Sequence, residues 1–581
     1  MRKKTGFILL FAMFLLLLSQ PWTQAANVPY DCKIRIGLYY GSDALASANL
    51  QNATGYGSGY HVGWLDGDGN FTALGYLPNV YLTVYPDTTY HVQVNFTFPT
   101  YEEARTYAEL LGGGAFPAYV NGSFFVRTGS FSSYFDAQDY AFPYGYGVAE
   151  ASPTGYTVCD TQSGEILFEF DRSGTRLAIE PVFDALSGNE GAQTWFKGRK
   201  YFGAFEYARD GNGVAVINVV DLEDYIRGVI PYEMSSSWPQ EALKAQAVCA
   251  RTYAYANLNK HAADGFDLCN STDCQVYYGT NGANDRTDQA VLETAGRYLT
   301  YAGELINAFY YSSNGGASED SENVWTEALP YLRAVRDDFE KQTNVSHTDW
   351  TYELTLEDIT DILRDRGTEF TGSIVHAYAT YTNAGNVKSL TFIDSVGHEI
   401  VYTGERCRTL FNTSGSSIHV YSQRFIFEDK YAMRIQSNDE ITSVGAGQLS
   451  SAGSSASYSS TTVFNAGVLT GSGTISGTEK YGTDAPVLSS SGTDTADTVT
   501  TISGASAFPI TSGGGSSAGT VPVSTLPVPT SCSGTFIIKG SGNGHNVGLS
   551  QYGAKAMAEL GYTYEQILTY YYTGVTMMTA Y

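Results

Sequence analysis

A chain of 581 residues is long enough for two to four domains and a large core. Its formal net charge of -26 removes the basic face that a nucleic-acid binder needs, and no Lys/Arg run follows residue 4. The same acidity argues against anionic lipids or teichoic polymers as primary ligands and suits solubility outside the cell.

In chain order, Arg2, Lys3 and Lys4 precede an apolar stretch from Phe7 to Leu18 and the small-residue site Thr23-Gln24-Ala25. This is the pattern of an export signal over residues 1–25. The apolar run falls short of the roughly 20 residues of a membrane span, so a secreted, extracytoplasmic chain is expected, with a retained N-terminal anchor as the alternative. Seven cysteines are too few to build a disulfide scaffold, and their odd number leaves one unpaired in a monomer.

Lys33 to Tyr39 alternates and is β-branched, so residues 26–87 are expected to form a small β-rich region. Residues 88–155 carry another pattern. A strand at His91-Val-Gln-Val-Asn-Phe is followed by an amphipathic helix from Thr100 to Leu111, with Thr100 as cap and Glu103 three residues on, and Gly112 to Gly114 ends it. A second strand at Phe124 to Gly129 leads into a helix starting near Ser130. This succession predicts a compact ferredoxin-like unit. The paired VQVNF and FFVRTGSF segments resemble a SPOR domain, which implies binding to glycan strands stripped of their peptides.

Strands and helices alternate over 175–436, the expected main body. Residues 437–531 are dominated by Ser, Thr, Gly and Ala and are expected to be linker. Strand and helix character returns over 534–581. The expected fold class is α+β, with a Ser/Gly-rich insertion before a C-terminal segment that folds back on the body.

The run from Asp221 to Ala254 holds the most chemistry. Leu222 to Val229 predicts a short helix ending near Gly228; Ser237 predicts the cap of a second helix, with Pro239 in its first turn, running to about Lys260. Glu233 lies between them, and spacing alone makes it a cap or dipole partner of the second helix.

This run closely resembles the signature of the SpoIID/LytB family, the stage II sporulation protein D and amidase-enhancer proteins. Two further blocks occur in the family's order: Phe309 to Gly316 with Ser321-Glu-Asn-Val-Trp325 and Pro330 to Val335, then Gly540 to Ala554. The resemblance implies a SpoIID-like body acting on peptidoglycan glycan strands, with Glu233 as the catalytic acid of a lytic transglycosylase. One carboxyl group suffices for that reaction, which needs no water nucleophile and no cofactor; a hydrolase would need a second, for which Glu241 or Asp267 are the candidates. The alternative is a non-catalytic glycan binder that stimulates a cell-wall amidase. Substrate contacts are expected from Lys244, Gln246 and Arg251 on the helix, from the turn Ser312, Ser313, Asn314, Gly315 and Gly316, and from His545, Gln551 and Tyr552 in the last block. Ser235, Asn546 and Leu549 depart from the family pattern. Some relatives bind zinc near His261, Cys269 and Cys274; Asp273 stands where such relatives have a histidine, so a structural zinc, a Cys269–Cys274 disulfide and free thiols all stay open.

Overall fold

The computed structural model describes residues 31–53, 57–183, 191–342, 349–413, 417–430 and 534–580, with isolated strands between 433 and 511. The export signal and most of the Ser/Thr/Gly-rich stretch lie outside the described residues. Among those described, no helix is long and apolar enough to cross a membrane. The chain is mixed α+β and divides at Phe309/Tyr310 into two compact units; Gly561–Thr569 and Gly574–Tyr581 belong with the first, Tyr570–Thr573 with the second.

The first unit is built on two sheets. The seven-stranded sheet runs Leu268–Cys269, Lys33–Tyr39, Gly213–Asp221, Ala204–Asp210, Leu177–Pro181, Tyr60–Leu65, Phe71–Leu77. Gly213–Asp221 reads VAVINVV, is buried almost throughout and pairs antiparallel on both sides. It is therefore a core strand, and it feeds straight into the helix that carries Glu233. Residues 26–87 do not form a region of their own: Lys33–Tyr39 joins this sheet, while Ala48–Asn52 and Tyr81–Pro86 join a second, ten-stranded sheet. The reason is pairing. Ile34 and Ile36 bury against a strand some 180 residues away, a partner that local alternation does not reveal.

Residues 90–149 contribute four strands to the ten-stranded sheet, in the order Gly147–Ala149, Tyr90–Gln93, Ser123–Phe131, Phe116–Val120, each antiparallel to its neighbour. Helices Tyr101–Leu111 and Tyr134–Ala141 connect them. Thr100 caps the first by accepting from the Glu103 N–H, and Ser133 caps the second at Asp136. The unit is not closed. Phe116–Val120 pairs parallel with Ile166–Asp171, so the sheet continues past it. A buried network crosses the same seam: Glu169 accepts from His91 Nε2 at 2.7 Å and from Arg127 Nη1 at 2.9 Å.

In the second unit, Thr535–Gly540 is the central strand between Trp350–Thr355 and Phe425–Asp429. The chain beyond 534 thus returns to pair with strands more than 100 residues earlier. Phe392, Phe411, Phe427, Phe536 and Ile538 centre the core around it. Ser550 then caps helix Gln551–Glu559 by accepting from the Gly553 N–H, and Gly561 follows the helix end. In the first unit, Thr576–Thr579 pairs antiparallel with Arg297–Tyr301.

Candidate functional site

Glu233 sits at the end of a helix, not before one. The first helix does not stop near Gly228 but runs from Leu222 to Glu233, through Pro231 in its last turn. Gly228 is inside it because the Tyr277 ring packs where a Cβ would lie, 2.4 Å from a ring carbon. Pro231 forfeits one backbone bond, yet the Met234 N–H still donates to Ile230 O at 2.9 Å and closes the last turn. Glu233 therefore lies at the partially negative end of a helix dipole, the opposite of the N-terminal setting that spacing suggests.

The segment after Asp273 runs along this helix. The Val276 N–H donates to Glu233 Oε1 at 3.3 Å, the Tyr225 hydroxyl to Gln275 Oε1 at 3.1 Å, and the Tyr277 hydroxyl to Asn218 Oδ1 at 2.8 Å. Tyr225, Gln275 and Tyr277 are buried and make a rigid floor. Glu233, Tyr232 and Tyr278 are only partly buried, and the two tyrosine rings meet edge-on at 5.3 Å. The arrangement fixes one carboxyl group at the border between core and solvent, beside an aromatic wall.

The second helix is Gln240–Ala256, shorter than expected, with Pro239 rather than Ser237 at its cap position. Ser237 instead turns its hydroxyl to Ser235 Oγ at 2.9 Å. The three helix positions expected to touch substrate are engaged within the unit. Lys244 bridges Glu241 at 2.8 Å and Glu293 at 2.7 Å. Gln246 is fully buried. Arg251 is also fully buried; its Nε and Nη2 donate to both oxygens of Glu223 at 2.7 and 2.6 Å, and it reaches the carbonyls of Ala247, Val291 and Arg297. Gln246 and Arg251 thus present no surface to a ligand. Arg251 ties the start of the Glu233 helix to the next helix, a role hidden in sequence because Glu223 lies 28 residues away.

The turn Ser312 to Gly316 belongs to the second unit, and a carboxylate that sequence reading misses organises it. Glu340 accepts from the Asn314 N–H at 3.1 Å, the Gly315 N–H at 2.7 Å and the Ser550 hydroxyl at 3.1 Å. Burial, then the neighbouring Asp337, push its carboxyl up to about 7. Asp337 accepts from Asn314 Nδ2 at 2.7 Å and from the Tyr571 hydroxyl at 2.6 Å. Ser313 and Asn314 are buried, while Ser312 and Gly315 are partly exposed. The sequence signal for it is an acidic pair, Asp337 and Glu340, directly after the Pro330 to Val335 block.

His545 lies in the same unit, packed against Tyr311 at 5.3 Å and Trp325 at 5.2 Å. Its Nδ1 accepts from the Val547 N–H, so its Nε2 donates to Tyr310 O at 3.1 Å. Burial pushes its pKa down to about 4 and keeps the ring neutral. Asn546 has φ +65°, in the left-handed region that Asn tolerates. Gln551 opens the following helix, and the Tyr552 N–H donates to Ser312 O at 3.0 Å, so the last block and the turn are one construction.

His261, Cys269, Asp273 and Cys274 offer four ligand atoms within 4.8 Å of one another. His261 Nε2 lies 3.2 Å from Asp273 Oδ2, and both sulfurs lie 3.9 Å from that oxygen. Both cysteines are free thiols. A hydrogen bond from Cys274 holds the Cys269 thiol down, to about 5, and the Cys274 thiol is raised in turn. Two sulfurs, an imidazole and a carboxylate are a donor set suited to tetrahedral zinc.

Residues 210–301, which hold Glu233, Arg251 and this four-residue cluster, match the family model described as stage II sporulation protein. The chain is similar to an amidase enhancer of Bacillus subtilis, 32% identical over 352 residues, 61% of this chain and 40% of the relative. It is similar to stage II sporulation protein D of the same organism, 33% identical over 139 residues, 21% of this chain and 40% of the relative. It is also 37% identical over 167 residues to an uncharacterized protein of Brachyspira hyodysenteriae, 29% of this chain and 45% of the relative. The chain spans less than half the length of each.

Proposed function

We propose, from the match of residues 210–301 to the stage II sporulation protein family model, that the chain is an exported cell-wall lytic transglycosylase. Its substrate is peptide-stripped glycan, cut between N-acetylmuramic acid and N-acetylglucosamine during sporulation or wall remodelling. The observation that supports this most is the setting of Glu233: one partly exposed carboxyl, held by the Val276 amide over a buried floor. The two other candidate carboxylates are committed elsewhere. Glu241 accepts from the Tyr564 N–H at 2.8 Å and pairs with Lys244, and Asp267 accepts from the Arg35 and Asn259 N–H groups at 2.8 and 3.1 Å. A hydrolase needs its second carboxyl group across the scissile bond.

A single group can act twice. Protonated Glu233 donates to the glycosidic oxygen, the bond from muramoyl C1 breaks, and N-acetylglucosamine leaves as the alcohol. The resulting carboxylate takes the proton of the muramoyl 6-hydroxyl, whose oxygen bonds to C1 and closes a 1,6-anhydro ring. The partly exposed Tyr232 ring offers an apolar surface for a sugar.

The strand–helix–strand–strand–helix–strand order of residues 90–149 supports reading that part as a SPOR-like, glycan-holding module. It exposes Phe135, Phe142 and Tyr144, the last stacked on Tyr146 at 5.8 Å. The amidase-enhancer likeness, over 61% of the chain, favours a second reading in which the protein binds glycan and stimulates a partner amidase. Titrating the full chain into an amidase digest of intact peptidoglycan separates the two. Stimulated peptide release without new glycan ends supports the enhancer; new ends without stimulation support the enzyme.

His261, Cys269, Asp273 and Cys274 would hold a structural zinc that cross-links the end of the second helix to the segment leading to Val276. The full chain, purified without chelator, is expected to retain about one zinc per molecule, and Cys269→Ser to retain almost none. A zinc-free native chain whose two thiols alkylate only after reduction would show the disulfide instead.

A further inference from the structure

The chain carries 33 Lys and Arg against 59 Asp and Glu, so a cation with no acidic partner stands out. One occurs at Tyr278, whose ring meets that of Tyr232, the residue before Glu233. Strands Thr194–Phe196 and Arg199–Tyr201 form a hairpin whose turn and return strand read Lys197-Gly198-Arg199-Lys200, three cations in four residues. The Arg199 guanidinium lies flat over the Tyr278 ring, 3.4 Å from its centre. It makes no salt bridge to any carboxylate among the described residues and is only partly buried. Tyr278 in turn meets Tyr232, the residue next to Glu233.

The hairpin is pinned where it is. The Lys200 N–H donates to Asn281 Oδ1 at 2.6 Å, and Asn281 Nδ2 donates to Gly198 O at 3.2 Å. Gly279, at φ +70°, lets the Lys200 carbonyl approach to 2.2 Å of where a Cβ would sit. Gly282 packs on Pro231 and Tyr232, so closely that a Cβ there would lie 3.0 Å from the Pro231 side chain. The loop 279–282 thus joins the basic hairpin to the turn that carries Glu233.

We infer that Arg199, supported by Tyr278, is an anion-recognition subsite of the Glu233 site, and that its ligand is the lactyl carboxylate of a muramoyl residue. This rests on the proposed action on glycan. A guanidinium stacked on an aromatic ring keeps its edge N–H groups free for a carboxylate and binds it as a planar fork. In intact peptidoglycan that carboxylate is an amide to the stem peptide and carries no charge. It becomes an anion only when an amidase has removed the peptide. Arg199 would therefore read the absence of the peptide directly, as a charge, in addition to any steric exclusion.

The test uses the full chain and two polymers made from one preparation: peptide-free glycan with free lactyl carboxylates, and the same glycan with those carboxylates converted to methylamides. Wild type is expected to bind the carboxylate form about tenfold more tightly. Arg199→Gln is expected to lose that preference by weakening on the carboxylate form alone, with methylamide binding unchanged as the internal measure of an intact fold. Arg199→Gln that discriminates as wild type does, or that weakens equally on both polymers, would overturn the subsite while leaving the glycan reading in place. Wild type that binds and cleaves neither polymer would remove the functional reading, and the subsite with it.

Discussion

Glu233→Gln is expected to lower glycan cleavage by about 10³-fold, the middle of the range for loss of a general acid–base group, while leaving folding and glycan binding nearly intact. Gln keeps the shape of the side chain and can still accept from the Val276 N–H through its carbonyl, so the floor of Tyr225, Gln275 and Tyr277 has no reason to move. What it loses is the proton. Because one carboxyl is asked to serve as acid and then as base, both steps fail together. Cleavage assays on peptide-stripped glycan, with thermal denaturation and co-sedimentation as controls, read all three quantities. Retained cleavage at wild-type rate would remove Glu233 from the chemistry.

Arg251→Ala is expected to destabilise the first unit by about 2–5 kcal/mol, mainly the cost of a cavity where a fully buried side chain is removed, since its partner Glu223 is partly exposed. Arg251 is fully buried and makes five hydrogen bonds, two of them to Glu223. Removing it leaves Glu223, three backbone carbonyls and a cavity in the helix packing. Glu223 begins the helix that ends at Glu233, so activity should fall as well, through misplacement of the acid rather than lost substrate contact. Urea denaturation of the variant against wild type measures the first effect. If Arg251→Ala kept full stability and lost only glycan affinity, the residue would be a substrate contact after all.

These two residues show what sequence reading can and cannot supply. The family signature locates both, but it does not separate an acid at the border of solvent from a cation sealed in the core. That distinction depends on the meeting of Glu223 with Arg251 and on the segment 275–277 lying along the first helix, both produced only by folding. The helix cap at Thr100 involves a neighbour three residues on and is legible; the end of the helix at Glu233 is not, because Gly228 and Pro231 look like breakers until Tyr277 is seen filling the space at Gly228. The distribution of residues 26–87 over two sheets is invisible for the same reason, since strand partners lie far along the chain. Lys197 to Lys200 is too short to count as a basic run in the sequence. Only its stacking beside Tyr278 gives it meaning.

A transglycosylase that closes an anhydro ring leaves that ring on its products. The most direct measurement is mass spectrometry of soluble products after the purified full chain has acted on peptide-stripped peptidoglycan. Fragments ending in 1,6-anhydro-muramoyl residues are expected, and none with Glu233→Gln. Fragments with reducing muramoyl ends, one water heavier, would show a hydrolase, and intact strands with undiminished binding would show a glycan-binding protein without this activity.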